Sequence, residues 1–218
     1  MTRHLTPPLR SAVAALAVLA VATFTIASAD RSPATAAETG TAIFAGGCFW
    51  CVESDFDHVD GVLETISGYI GGTLDNPTYQ AVSREDTGHH EAVKITYDPE
   101  KVSYEKLLEV YWHSIDPTDG GGQFCDRGPS YTSAIFTLSP QQLKQAEASK
   151  AAVEKELGQP VATTIQAAPT FWPAEGYHQD YYKKNPLKYQ YYRYGCGRND
   201  TVERVWGDRA FKGLKEHS

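Results

Sequence analysis

The chain has 218 residues, 41% of them hydrophobic and 22% charged, and a formal net charge of −7. That length suits one domain with or without a leader, and the apolar content excludes wholesale disorder. An acidic chain without a Lys/Arg cluster is excluded as a nucleic-acid binder.

Residues 1–29 differ from the rest of the chain. Arg3 and Arg10 precede an uncharged run from Ser11 to Ala29, which closes on Ala27-Ser28-Ala29. This is the layout of a secretory signal peptide. The competing reading is an uncleaved membrane anchor, for which the Ala-rich run stands near the lower length limit. Removing the leader takes the formal net charge to −9, because Arg3 and Arg10 are its only Lys or Arg and it holds no acid. The protein is therefore expected to be exported, periplasmic or extracellular. Residues 30–40 read as a linker, and 41–218 as a single catalytic domain with an irregular C-terminal tail from about residue 185.

In the mature chain, Thr41–Ala45 predicts a strand that leaves through Gly46-Gly47. Phe49, Val52, Phe56 and Val59 fall at helical intervals, so Cys48 opens a helix. Val62–Tyr69 predicts a strand. Glu91–Tyr97 predicts another, with Glu91, Val93, Ile95 and Tyr97 sharing one face. Ser103 caps a helix carrying Leu107, Leu108, Tyr111 and Trp112. Gly120-Gly121-Gly122 marks a loop holding Cys125, and Ser133–Leu138 is a strand. Ser139-Pro140 starts a helix that Gly158 stops. Val161–Ala167 predicts a strand and Ala174–Lys184 a short helix. Two strand-helix-strand units side by side give an α+β fold, a ferredoxin-like two-layer sandwich of one mixed sheet with helices.

Four cysteines lie beyond the leader: Cys48, Cys51, Cys125 and Cys196. In an oxidising compartment they allow three disulfide pairings. A chain of about 190 residues builds its own core without such staples, so redox chemistry competes with structural bridging. Cys48 sits where a strand hands over to a helix, among unpaired N–H groups that favour a thiolate. The alternative there is a buried structural cysteine. Cys48-Phe49-Trp50-Cys51 is also a C-x-x-C, which raises thiol-disulfide exchange or a zinc pair. No second local pair completes a zinc site, and none is expected. Glu91 lies on a face that should be buried, where desolvation raises a carboxyl's pKa and suits it to act as a general acid; the competing reading is a strand-end Glu turned to solvent.

Taken together, these residues resemble the A-type peptide-methionine sulfoxide reductases. Gly47-Cys48-Phe49-Trp50 is followed in order by Gly68-Tyr69-Ile70-Gly71-Gly72, Thr87-Gly88-His89-His90-Glu91, Asp126-Arg127-Gly128 with Tyr131, and Ala174-Glu175 with Tyr177-His178-Gln179. The resemblance implies a ferredoxin-like fold. It implies reduction of methionine S-sulfoxide, free and in oxidised proteins, by a monomer without cofactor or metal. Carried over, Cys48 is the nucleophile, Glu91 the acid, Tyr69 and Tyr131 flank the sulfoxide oxygen, Asp126 holds the substrate, and Phe49 and Trp50 receive its methyl group. The sulfenic acid left on Cys48 is then resolved to a disulfide, which a thioredoxin-type reductant restores. Two departures stand out. Thr132 replaces a common Arg, and the tail reads Tyr194-Gly195-Cys196-Gly197-Arg198 in place of a longer Gly-rich one. Cys196 on that tail is the chosen resolving thiol, Cys51 is its rival, and Cys125 is read as a spectator.

Overall fold

The computed structural model describes residues 1–2, 38–84 and 87–215, and the fold is that of the unit Ala37–Ser218. Residues 3–37, which hold nearly all of the expected signal peptide and most of the expected linker, fall outside the described residues. Among the described residues no helix is long and apolar enough to cross a membrane.

Strand β1 (Gly40–Ala45) leads through the glycine turn into helix α1 (Phe49–Asp57), and β2 (Val62–Ile70) comes next. Helix α2 (Tyr79–Val82) is one turn capped by Thr78. Strand β3 (His90–Tyr97) alternates as its sequence demands, and α3 (Tyr104–Trp112) starts at the Ser103 cap. The glycine-rich loop is a small hairpin, β4 (Gly122–Gln123) with β5 (Asp126–Arg127), and a 3-10 turn covers Pro129–Tyr131. Next come β6 (Ala134–Thr137) and α4 (Pro140–Leu157), the latter ended by Gly158 in the left-handed conformation. Strands β7 (Thr164–Ala167) and β8 (Trp172–Pro173) precede helices α5 (Tyr181–Lys184), α6 (Pro186–Gly195) and α7 (Arg198–Trp206).

The sheet order is β7-β6-β1-β3-β2-β8. Its middle four strands, β6-β1-β3-β2, pair antiparallel with one another, which is the ferredoxin-like order. Strand β7 joins in parallel to β6 after the α4 crossover, so the sheet is mixed as expected. Phe44, Val93 and Ile95 from the sheet meet Phe56, Leu107, Tyr111 and Trp112 from α1 and α3 in one buried cluster. Their side chains are removed from water almost completely, which is the main stabilising contribution here.

The tail departs from the expectation of irregular structure. Residues 186–206 are two helices. The face that α6 buries is Tyr189 and Arg193, and the face that α7 buries is Arg198, Val202 and Trp206. Arginine on a buried face hides the helical period. Ala174–Lys184, expected to be helical, is helical only from Tyr181. Upstream of it, Gln179 bonds the backbone of Ser67 from both ends of its amide and holds the segment against β2.

Asp55 secures the tail. It is fully buried on α1 and faces two guanidiniums, Arg193 at 2.8 Å and Arg198 at 3.6 Å. Arg193 further bonds Tyr189 and Asn199, and Arg198 bonds the carbonyls of Gly46 and Ser114. Removing one member of a buried ionic network leaves the remainder desolvated and unpaired. Asp55→Ala should therefore lower unfolding free energy by about 3–5 kcal/mol in urea titrations, whereas an exposed change such as Glu203→Ala should leave it nearly unchanged.

Candidate active site

Cys48 is the residue before the first helical turn of α1, in extended conformation (ψ 121°). Gly47 precedes it with φ +85°, a conformation open to glycine at little cost, and a Cβ there would meet Gln123 at 2.6 Å. The turn sets the Cys48 thiol at the bottom of a hollow of about 60 Å³, lined also by Phe49, Trp50, Tyr79, Glu91, Asp126, Tyr131 and Tyr192. Six of the eight expected site residues converge here or at its floor: Cys48, Glu91, Phe49, Trp50, Asp126 and Tyr131.

Tyr69 and Cys196 do not line the hollow. Tyr69 pairs with Glu91 across β2 and β3, but its ring lies behind Phe49 and its hydroxyl donates to Glu175 at 2.8 Å. The tyrosine that faces the hollow from this side is Tyr79. Its backbone N–H donates to the same Glu175 carboxylate at 2.9 Å, and its hydroxyl is hydrogen-bonded to Tyr131. A strand pattern could not reveal Tyr79, because it sits on a single helical turn whose only signal is the Thr78 cap. Tyr192 escapes sequence reasoning for a similar reason, its helix being hidden in a stretch that reads as irregular tail.

Cys196 is bonded to Cys125, so Cys125 is no spectator thiol, and the free cysteines are Cys48 and Cys51. Cys51 lies three residues along the same turn, its N–H donating to the Cys48 carbonyl at 3.1 Å. Cys125, Asp126 and Cys196 are the grouping with metal-ligand closeness among the described residues, and the C-x-x-C pair is not part of it.

The electrostatics of the pair reverse the simple expectation. The Phe49 N–H at the helix start is taken by Glu91 Oε2 at 3.0 Å and does not serve the sulfur. Burial, the hydrogen bond to Cys51 and the nearby Glu91 and Asp126 push the Cys48 thiol up, so it rests protonated. Cys51 goes the other way, to about 7: it accepts the hydrogen bond from Cys48, and Arg198 and Arg193 oppose the cost of its burial. Asp55 is one helical turn beyond Cys51 on the same face of α1, so both meet the two arginines. The two guanidiniums beside Asp55 favour the anionic form of Cys51. Glu91, 3% exposed, is pushed up to about 8 chiefly by desolvation. Burial likewise keeps Tyr79 and Tyr131 neutral, so both remain hydrogen-bond donors.

The remaining motif residues support this wall. Trp50 donates its indole N–H to His178 Nδ1 at 3.0 Å and stacks on Tyr181 with ring centres 3.7 Å apart. Phe49 lies against His178. The result is an apolar lip over a floor holding one thiol, one neutral carboxyl and several hydroxyls, which suits a small polar group carried on an apolar stem.

A ferredoxin-like sheet that ends its first strand on a buried reducing thiol defines the class as a thiol-dependent oxidoreductase. Comparison with known proteins gives the family. The model for "Peptide methionine sulfoxide reductase" matches residues 40–210, and the chain belongs to that family. It is 58% identical over 182 residues to peptide methionine sulfoxide reductase MsrA 2 of Rhizobium meliloti, covering 84% of this chain and 91% of that one. It is 54% identical over 172 residues to MsrA of Bacillus licheniformis, covering 76% and 93%. Among solved structures it resembles methionine sulfoxide reductase A of Corynebacterium diphtheriae, with TM-score 0.66, 34% identity, and 68% and 76% of the chains covered. Reduced Mxr1 of Saccharomyces cerevisiae gives the same TM-score at 29% identity, covering 69% and 87%. The activity of the present chain is the reduction of methionine sulfoxide.

The charge assignment is open to direct measurement. With the Cys125–Cys196 bond intact, thiolate absorbance near 240 nm (roughly one thiolate's worth) should rise around pH 7. Cys51→Ser should remove that step, and Cys48→Ala should move it upward.

Proposed function

We propose that Cys48, Glu91 and Cys51 carry out the reduction in sequence, with Tyr79 and Tyr131 steadying the oxygen. The sulfoxide methyl packs against Phe49 and Trp50 and its oxygen points at Glu91 and the two hydroxyls. Cys48 sulfur attacks the sulfoxide sulfur while Glu91 gives its proton to the oxygen. Glu91 then recovers the thiol proton, methionine leaves, and the oxygen remains on Cys48 as a sulfenic acid. Protons balance, because the one lost by the thiol replaces the one that Glu91 donated. Asp126 lines the opposite side and orients the substrate.

Cys51 is the resolving thiol in this reading. The observation that carries it is the pair itself: two free, buried thiols one turn apart, the second leaning toward thiolate. Cys51 attacks the Cys48 sulfenic acid, water leaves, and a Cys48–Cys51 disulfide forms. The Cα separation across one helical turn lies within disulfide range. Cys196 is engaged elsewhere. An external dithiol of the thioredoxin type then reduces the disulfide and closes the cycle.

The setting we propose is outside the cytoplasm, in the periplasm or beyond. The leader-like layout of residues 1–29 supports it, as does a partly exposed Cys125–Cys196 bond of the kind that persists in oxidising compartments. The alternative of a pure thiol-disulfide exchanger is disfavoured by burial, Cys48 being 6% and Cys51 2% exposed.

Treating reduced enzyme with one equivalent of methionine S-sulfoxide and mapping the product should give a Cys48–Cys51 bond. A Cys48–Cys196 bond as the first product would return the resolving role to Cys196. Glu91 must keep its proton to act, so the chemical step should fail as pH rises through about 8. Resolution, needing the Cys51 thiolate, should fail as pH falls below about 7. Glu91→Gln should slow single turnover by about 10²-fold and abolish the alkaline limb.

A further inference from the structure

The Cys125–Cys196 disulfide is not used in the cycle proposed above, yet it lies against the substrate hollow. Asp126 comes directly after Cys125, and Tyr192 stands one helical turn before Cys196 on α6. Both Asp126 and Tyr192 line the hollow, and the Tyr192 hydroxyl donates to Asp126. Cys196 Sγ lies 3.7 Å from Asp126 Oδ2, and the Cys125 N–H donates to that sulfur at 3.1 Å. The disulfide and the Asp126–Tyr192 bond are thus two parallel ties between the same two segments.

Gln123 bonds both backbone groups of Asp116, Arg127 pairs with Asp119 and Arg198 lies over the Phe124 ring, so other contacts fix the hairpin's start and end. Cys125 and Asp126 are tied to α6 by the disulfide and the Asp126–Tyr192 bond. Strands β4 and β5 are two residues each, and Phe124 at their turn has φ +57°, a conformation disfavoured for a side chain with a Cβ. Cys125 is exposed while Cys48 and Cys51 are buried. A soluble dithiol therefore meets this bond before it meets the catalytic pair.

We propose that Cys125 and Cys196 are positioning residues for methionine sulfoxide, their disulfide acting as a latch that fixes the Asp126–Tyr192 wall of the hollow. This rests on the reading of the hollow as the sulfoxide site. When a dithiol gives two electrons and two protons to the bond, it opens to two thiols and the dithiol closes to its own disulfide. The hairpin then gains freedom that the substrate must quench on binding, so affinity falls. Linkage makes the effect reciprocal: bound sulfoxide must make the latch harder to reduce by the same factor.

The test uses Cys48→Ser/Cys51→Ser protein, which cannot turn over and keeps Cys125 and Cys196 as its only cysteines. Binding of N-acetyl-methionine sulfoxide is measured by calorimetry with the latch closed and after reduction by dithiothreitol. Reduction should weaken binding by about 5-fold or more, and adding Cys125→Ser/Cys196→Ser should reproduce the reduced affinity. Saturating sulfoxide should shift the dithiothreitol titration of the latch by the same factor, which a merely structural bond would not do. Equal affinity in both redox forms, with an unmoved titration, overturns the latch and leaves the role of Cys48 standing. No binding in either form, together with sulfoxide turnover that survives Cys48→Ser in the native protein, overturns the reading of the hollow and the latch with it.

Discussion

One carboxylate facing two guanidiniums organises this molecule. Asp55 on α1 draws Arg193 and Arg198 out of the C-terminal helices into the interior, and with them the tail closes over the back of the site. The positive charge of the two arginines has a second effect. It sits beneath Cys51, so a requirement of folding and a requirement of chemistry are met by the same three side chains. Burial of charge is expensive unless each ion is paired, and the same arginines favour the anion of Cys51, the resolving thiol of the proposed cycle.

The two sulfurs are consequently unlike each other although they share a helical turn. Cys48 faces acids and the apolar lip, and rests as a thiol. Cys51 faces arginines and leans toward thiolate. This division suits a two-step reduction. In the proposed cycle the first sulfur meets a substrate that brings its own electrophile and needs a proton donor beside it, for which desolvation suits Glu91. The second meets an oxidised neighbour and must be ready as an anion. The different surroundings also separate the pH demands of the two steps.

Much of this was legible in the sequence. The alternation Glu91-Val93-Ile95-Tyr97 placed a carboxylate on a buried face, and the Ser139-Pro140 start and Gly158 stop bounded α4. The glycine turn located Cys48, and the element order gave the sheet. What escaped lay where local pattern and tertiary context part. Arg193 and Arg198 look like solvent-facing residues, so α6 and α7 read as tail. They are buried because distant groups meet them, above all Asp55, over a hundred residues earlier. Tyr69 and Tyr79 carry the same side chain, and the choice between them is made by Glu175, which takes the hydroxyl of one and the backbone of the other. The partnership of Cys125 with Cys196 spans 71 residues and no spacing rule selects it over the other pairings.

The small size of the hollow has a consequence for the proteins this enzyme repairs. About 60 Å³ admits the tip of one side chain and no backbone. With the hollow as the proposed substrate site, a damaged methionine reaches in from a segment that stands clear of its own fold. One packed inside a stable client waits for that client to open locally, and its repair rate scales with the fraction of time it is open. Surface loops and partly unfolded chains are served first. The geometry thus ranks clients by how loosely they are built, before any chemical preference acts.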